Sequence, residues 1–285
     1  MTVTEVSGVS VTPGIRQDLD PVEWKEHLYG LTKERWDSLS GKSFWITGAG
    51  TGYGRAMSVA LASAGGKVFL SGRRKEKLLE SLEVMKRYGL STDGCFVVDF
   101  DLTDIKQIKK ACTKVETTCD SLYGLVNNAA LPPRASLQED TLEYWERMFC
   151  TNVTAPWLLT REIFPHMKAG GAARVLFITS EAGWAFTPGS GSYNMNKAAL
   201  NNLSASMAAE YAERFPNVDL QMNALVPGEA RTEMNQGSPY RPCAVVSMTL
   251  ILLSHPNGGP NGRFFYRDGR HMPFTYAPRY NKHLI

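Results

Sequence analysis

The stretch WITGAGTGYGRAM, residues 45–57, decides how the rest of the chain is read. It leaves an apolar run, passes through four alternating glycines, Gly48, Gly50, Gly52 and Gly54, and enters residues that sustain a helix. Glycine tolerates positive φ and lets a backbone approach a ligand closely. A strand, a glycine turn and a helix N-terminus present free N–H groups and the positive end of a helix dipole, which together suit a pyrophosphate. A lone GxGxxG is weak evidence, but here the strand precedes it and the helix follows it. The stretch predicts a dinucleotide site built on Gly48, Gly50, Thr51, Gly52, Tyr53 and Gly54.

From residue 43 onward, short apolar runs rich in β-branched residues alternate with helical patterns. The predicted strands are SFWIT (43–47), KVFLS (67–71), CFVVD (95–99), GLVNN (124–128), RVLFIT (174–179), DLQMNAL (219–225) and RFFY (263–266). Continuously apolar strands joined by helices indicate a parallel sheet covered on both faces. The expected architecture is α/β, a doubly wound parallel sheet of about seven strands in a single domain over residues 41–285. The run AVVSMTLILL (244–253) reads as a buried helix.

Residues 1–40 stand apart as an N-terminal extension. Asp20, Pro21 and Glu23 form a helix start, and Trp24, Leu28 and Leu31 recur on one face. That pattern predicts a short helix packed on the chain's own body or on a neighbouring subunit.

Of 285 residues, 43% are hydrophobic and 21% charged, and the net charge is +3, so the balance implies neither nucleic acid nor an acidic partner. No apolar run approaches the roughly 18–20 residues of a membrane span. The first residues lack the basic start and apolar core of a secretory signal. Five cysteines, at 95, 112, 119, 150 and 243, include no CxxC pair and no metal-ligand spacing. These features predict reduced thiols, no metal and a cytoplasmic protein.

The end of the second predicted strand bears on coenzyme choice. An NAD site offers a carboxylate to the ribose about 20 residues beyond the glycine turn. Here FLSGRRKEK (69–77) offers Arg73 and Arg74 instead. Guanidinium groups attract a 2′-phosphate and grip it with paired N–H bonds, so NADP(H) is preferred over NAD(H).

SYNMNKAAL (192–200) places Tyr193 and Lys197 one helical turn apart. A free phenol titrates near pH ~10, and a neighbouring ammonium favours its phenolate. The pair is thus expected to act as a proton donor with its acidity raised.

These motifs together resemble the short-chain dehydrogenase/reductase family, from about residue 42 to 270. TGAGTGYG (47–54) is similar to that family's TGxxxGxG coenzyme turn. The resemblance implies that DLTD (101–104) contacts adenine through Asp101 and Leu102, and that NNAA (127–130) places Asn128 at the coenzyme, with Ala130 where the family has glycine. It implies Asn152, from TNVTAP (151–156), as the helix asparagine that positions a relay water, and Ser180, from ITSEAG (178–183), as the holder of the substrate oxygen. Ser180 lies 13 residues before Tyr193, as the family pattern requires. VPGEARTEM (226–234) is similar to the segment that lines the nicotinamide with Pro227, Gly228 and Thr232. GRFFYRDGR (262–270) looks like the last strand and its DGG turn, with Arg270 in place of the second glycine. The resemblance implies a Rossmann-like fold and an NADP(H)-dependent oxidoreductase in which Tyr193 is the general acid/base and Lys197 also bonds the nicotinamide ribose. It further implies a homodimer or homotetramer built through long-helix and last-strand contacts.

The segment GEARTEMNQGSPYR (228–241) is short and polar, which suits a hydroxylated or charged small carbonyl or alcohol substrate better than a steroid. Trp184, Phe186 and Tyr240 are candidates to stack on a ring. The basic, aromatic tail from Arg263 is expected to close a subunit interface. Two other readings stay open: a 3-oxoacyl-thioester reductase using Arg231 and Arg241 for a carrier phosphate, and a non-catalytic NADP(H)-binding regulatory protein.

Overall fold

The structure, a computed structural model, describes residues 28–185 and 187–273. The predicted helix start at Asp20–Glu23, Trp24, Phe186 and the tail beyond residue 273 lie outside the described residues. Eight strands form one sheet: β1 (Ser43–Thr47), β2 (Lys67–Gly72), β3 (Cys95–Asp99), β4 (Gly124–Asn127), β5 (Ala172–Ile178), β6 (Asp219–Val226), β7 (Arg263–Tyr266) and β8 (His271–Pro273). Their order is β3-β2-β1-β4-β5-β6-β7-β8. The first seven pair in parallel, and β8 runs antiparallel to β7. All seven predicted strands are present, with ends that move by one or two residues. The eighth is an addition: Gly269, at φ 86°, turns the chain and Tyr266 N–H bonds Arg270 O at 2.7 Å, which folds residues 271–273 back along β7.

The helices are α1 (Lys33–Asp37), α2 (Gly52–Ser63), α3 (Lys75–Arg87), α4 (Ile105–Glu116), α5 (Leu142–Phe149), α6 (Ala155–Ala169), α7 (Ser192–Arg214) and α8 (Val246–Leu253). They divide between the two faces of the sheet. Successive strand side chains point to opposite faces. Phe44 and Ile46 of β1 accordingly join Met57, Leu61, Leu78 and α8 in one core, while Trp45 joins Ile108, Leu159, Ile163 and Met207 in the other. This two-sided burial is why the strands read as unbroken apolar runs rather than as alternating ones.

Every residue of α8 except the half-buried Ser247 is buried, as its composition predicts. The end of the N-terminal extension packs on it. Tyr29, Leu31 and Trp36 enter the same core, Ser247 Oγ donates to Tyr29 O at 2.8 Å, and the Arg35 guanidinium donates to Ile251 O. The described end of that segment therefore docks on the chain's own body. Among the described residues, no helix is long and apolar enough to cross a membrane.

In a doubly wound sheet, ligands bind beyond the carboxyl ends of the strands where the strand order reverses. Here that point lies between β1 and β4.

Candidate active site

The glycine turn runs from the end of β1 into α2. Gly48 and Gly52 adopt φ 66° and 51°, which only glycine takes up without strain. Gly54 allows a closer contact: a Cβ there would fall 2.2 Å from Gly48 O and 2.7 Å from Asn128 Nδ2. The floor beneath is stitched across the strand-order reversal. Thr47 Oγ1 accepts Asn128 N–H at 2.9 Å and Ala129 N–H at 3.0 Å, and Asn128 Nδ2 donates to Thr47 O at 2.8 Å. Thr51, the N-cap of α2, places no side-chain oxygen on the first-turn amides.

A cleft of about 460 Å³ opens over this floor. From β1, β2 and the turns after them come Gly48, Gly50, Thr51, Gly52, Tyr53, Arg73 and Arg74. The ends of β3 and β4 contribute Asp101, Leu102 and Asn128, and the β5–β6 side contributes Tyr193, Lys197, Pro227 and Thr232. Four predicted residues are not in its lining: Gly54, Asn152, Ser180 and Gly228. Gly54 is the close-packed helix residue just described, and Gly228 O accepts the Tyr53 hydroxyl at 2.7 Å.

Ser180, Tyr193 and Lys197 come together behind the end of β5. Ser180 caps a short turn, Glu181–Gly183, its Oγ accepting Ala182 N–H at 3.1 Å and also bonding the Tyr193 phenol. Gly183 lets that turn lie on α7, since a Cβ there would sit 2.5 Å from the Lys197 carbonyl carbon. Tyr193 is 9% exposed, and burial pushes its phenol up to about 12, partly offset by the Ser180 bond. Lys197 is 2% exposed; its Nζ donates to Ile178 O at 2.9 Å and lies 5.5 Å from the centroid of the Tyr193 ring. Burial lowers this amine to about 7.

Lys197 does not lower the phenol's pKa in the chain alone, because the amine is itself desolvated and is bound to a carbonyl rather than to the hydroxyl. Lys197 also makes stability depend on pH. Its folded pKa of about 7 lies below its ordinary 10.5, so between those values the unfolded chain binds more protons and stability rises with pH. Tyr193 acts in the opposite sense between 10 and about 12, where the folded chain keeps a proton the unfolded one loses. Lys197→Met is expected to flatten the rise in Tm between pH 7 and 9.5. An unchanged slope would rule out a buried, neutralised Lys197.

Asn152 sits in a single π turn, Cys150–Thr154, between α5 and α6. Such bulges often occur at functional sites. Its Nδ2 donates to Leu131 O at 3.2 Å and to Asn196 Oδ1 at 2.9 Å, and its Oδ1 accepts Leu131 N–H at 2.7 Å. Both side-chain amide protons are thus committed, and the side chain clamps protein groups.

Residues 42–241 match the family described as short chain dehydrogenase. This chain belongs to the short-chain dehydrogenase family. A relative named as an uncharacterised oxidoreductase from Thermotoga maritima is 32% identical over 69% of this chain and 74% of its own. A gluconate 5-dehydrogenase from Gluconobacter oxydans is 31% identical over 70% of this chain and 75% of its own. Among solved structures, a candidate NAD(P)-dependent gluconate 5-dehydrogenase from Beutenbergia cavernae, with NADP bound at low occupancy, superposes with a TM-score of 0.71 at 27% identity, covering 82% of this chain and 97% of that one.

This short-chain dehydrogenase also has features that its sequence motifs did not announce. Gly191, at φ 47°, precedes α7 without a side-chain cap. The cap comes from the loop after β4: Asp140 Oδ2 accepts Ser192 N–H at 3.2 Å and also the buried Ser192 hydroxyl. Asn196 Nδ2 donates to Ser192 O at 2.7 Å, which joins this cap to Asn152 and Leu131. The loop from Leu131 to Asp140 is therefore tied at both ends to the first turns of the helix that carries Tyr193.

The segment after β6 is also organised differently from expectation. Arg267, in the turn after β7, donates to Glu229 O at 3.0 Å and Pro227 O at 3.4 Å, and its guanidinium lies 5.0 Å from the Tyr240 ring centroid. Tyr240 thus stacks on an arginine. Trp184 is 58% exposed, with its ring 6.3 Å from that of Phe264. Arg73 lies 4.0 Å from Asp101, while Arg74 makes a two-pronged ion pair with Glu233, a residue of the polar segment 228–241. Burial raises the Cys95 and Cys112 thiols to about 11 and about 12, which keeps them protonated and unreactive.

Proposed function

We propose that this short-chain dehydrogenase is an NADP(H)-dependent carbonyl reductase, or the reverse alcohol dehydrogenase, acting on a polar, hydroxylated small molecule. The observation that carries the reading is the convergence of Tyr193 and Lys197 with the glycine turn on one cleft, with Ser180 behind it at the Tyr193 phenol. The residues fit a dinucleotide. A side chain at Gly54 would break the floor of the turn, first-turn amides of α2 carry no side-chain cap, and the cleft volume lies within the ~300–1,000 Å³ of small-molecule sites. Gly50, Thr51, Gly52 and Tyr53 would hold its pyrophosphate, Asp101, Leu102 and Asn128 its adenosine side, and Arg73 and Arg74 a 2′-phosphate.

The bound coenzyme supplies a hydride donor or acceptor. The chain supplies the proton and the orientation. Tyr193 carries a proton at its phenol oxygen that it can pass to a developing alkoxide, and Ser180 orients that oxygen and the substrate carbonyl. Lys197, its amine brought down to about 7, can give or take up a proton near neutral pH and can bond a ribose hydroxyl. The π turn fixed by Asn152 holds Leu131 and Pro132 at the cleft wall. Polar substrates are favoured by the exposed, polar segment 229–241 and by gluconate 5-dehydrogenase among the similar proteins.

A 3-oxoacyl-[acyl-carrier-protein] reductase from Aquifex aeolicus is also 31% identical, over 69% of this chain, so a thioester belongs in the test. The experiment is coenzyme oxidation against a panel containing a keto derivative of gluconate, an acetoacetyl thioester and a steroid ketone. Turnover of the polyhydroxy substrate, with kcat/KM at least tenfold higher for NADPH than for NADH, is expected. Exclusive turnover of the thioester would move the substrate class to acyl carriers. Tight NADPH binding without turnover of anything would make the chain a coenzyme-binding regulator.

A further inference from the structure

We propose that Glu233 sets the strength of this enzyme's preference for a 2′-phosphorylated coenzyme, by occupying the Arg74 guanidinium that the phosphate needs. The proposal rests on the NADP(H) reading above.

Arg74 stands at the end of β2 as the N-cap residue of α3, without a side-chain capping bond. Its Nη2 lies 2.6 Å from Glu233 Oε2 and its Nη1 3.3 Å from Glu233 Oε1. This is the paired geometry in which a guanidinium grips a carboxylate or a phosphate. A phosphate arriving at Arg74 meets a seated anion and has to replace it.

Glu233 is held there by its backbone. Thr232 and Asn235 exchange N–H···O bonds at 3.1 and 3.2 Å, and Thr232 Oγ1 accepts the N–H groups of Met234 and Asn235, both at 3.2 Å. That tight turn rests on the coenzyme turn: Thr232 Cγ2 lies 3.0 Å from where a Cβ on Gly52 would stand. Glu233 and Arg74 both line the cleft although they are 159 residues apart in the chain.

The neighbouring cations do not share this arrangement. Arg73 has only the loose 4.0 Å contact with Asp101, and Lys77 pairs with Glu80 of its own helix. Glu233 alone of these acids comes from the polar segment after β6. Removing its charge leaves Arg74 free for a phosphate but changes nothing at a ribose without one. With a non-phosphorylated coenzyme, Glu233 stays in place and Arg74 is not left as an unpaired charge against the ribose. The carboxylate therefore narrows the gap between the two coenzymes.

The test uses the full-length chain and reads dissociation constants for NADPH and NADH by nicotinamide fluorescence, with no substrate present. An exposed ion pair has a modest worth, so Glu233→Gln is expected to tighten NADPH binding about two- to fivefold and to leave NADH within experimental error. In an Arg74→Ala background the same change is expected to do nothing to NADPH. Unchanged or weaker NADPH binding in E233Q overturns the proposal. So does an equal gain for NADH, or a gain that survives without Arg74. Failure of the NADP(H) reading looks different: the parent would bind NADH more tightly than NADPH, whatever residue 233 does. Glu233→Ala, with parent-like circular dichroism, guards against an effect peculiar to the amide.

Discussion

Tyr193→Phe is expected to lower kcat about 10²- to 10⁴-fold, the range supplied by a positioned general acid, while NADPH binds within about twofold of the parent. The ring remains in place, because phenylalanine fills the same buried space among Met148 and Ala182. What is lost is the hydroxyl and its bond to Ser180. Ser180 keeps its bond from Ala182 N–H, so the turn that carries it does not collapse. The glycine turn and the arginines stand on β1 and β2, away from the change. Single-turnover kinetics for the chemistry, with fluorescence titration for the coenzyme, separate the two effects. A variant that kept parental kcat would remove Tyr193 from the proton-transfer role.

Gly54→Ala is expected to weaken NADPH binding by more than tenfold and to destabilise the fold by about 1–3 kcal/mol, the usual cost of forcing a methyl into a packed site. The added Cβ meets a backbone oxygen, Gly48 O, at 2.2 Å, and no side-chain rotation relieves that contact. Either α2 lifts from β1 or the Thr47–Asn128 stitching opens, and both distort the coenzyme turn. Gly72→Ala is the control. A Cβ there meets only Leu78 Cδ2, at an ordinary 3.6 Å, and should change neither quantity much. Denaturant unfolding and NADPH titration on both variants decide the matter, and a fully functional Gly54→Ala would show that the turn tolerates more displacement than its packing implies.

The parts of this molecule legible in sequence are those written in local patterns. Strands buried on both faces are unbroken apolar runs, and β1 to β7 were found that way. The glycine turn and the Tyr193–Lys197 spacing are equally local. What escaped depends on residues distant in sequence. Asp140 caps α7 from 52 residues away, Asn152 meets Asn196 across 44, and Arg74 meets Glu233 across 159. No periodicity encodes such pairings, because they arise from where loops land after the sheet forms. The state of Tyr193 in the chain alone also depends on more than spacing. Spacing places an amine one turn from a phenol, but the burial that governs both groups comes from the whole fold. The strand β8 was missed because three residues after a turn, ending in proline, carry too little pattern to register.

That small strand has a consequence for the edge of the sheet. A bare β7 would offer a row of unpaired backbone groups for another molecule to extend. Among the described residues β8, His271–Pro273, takes up that rim, and the Pro273 nitrogen cannot donate. Among the described residues, that border is a poor template for sheet-to-sheet growth.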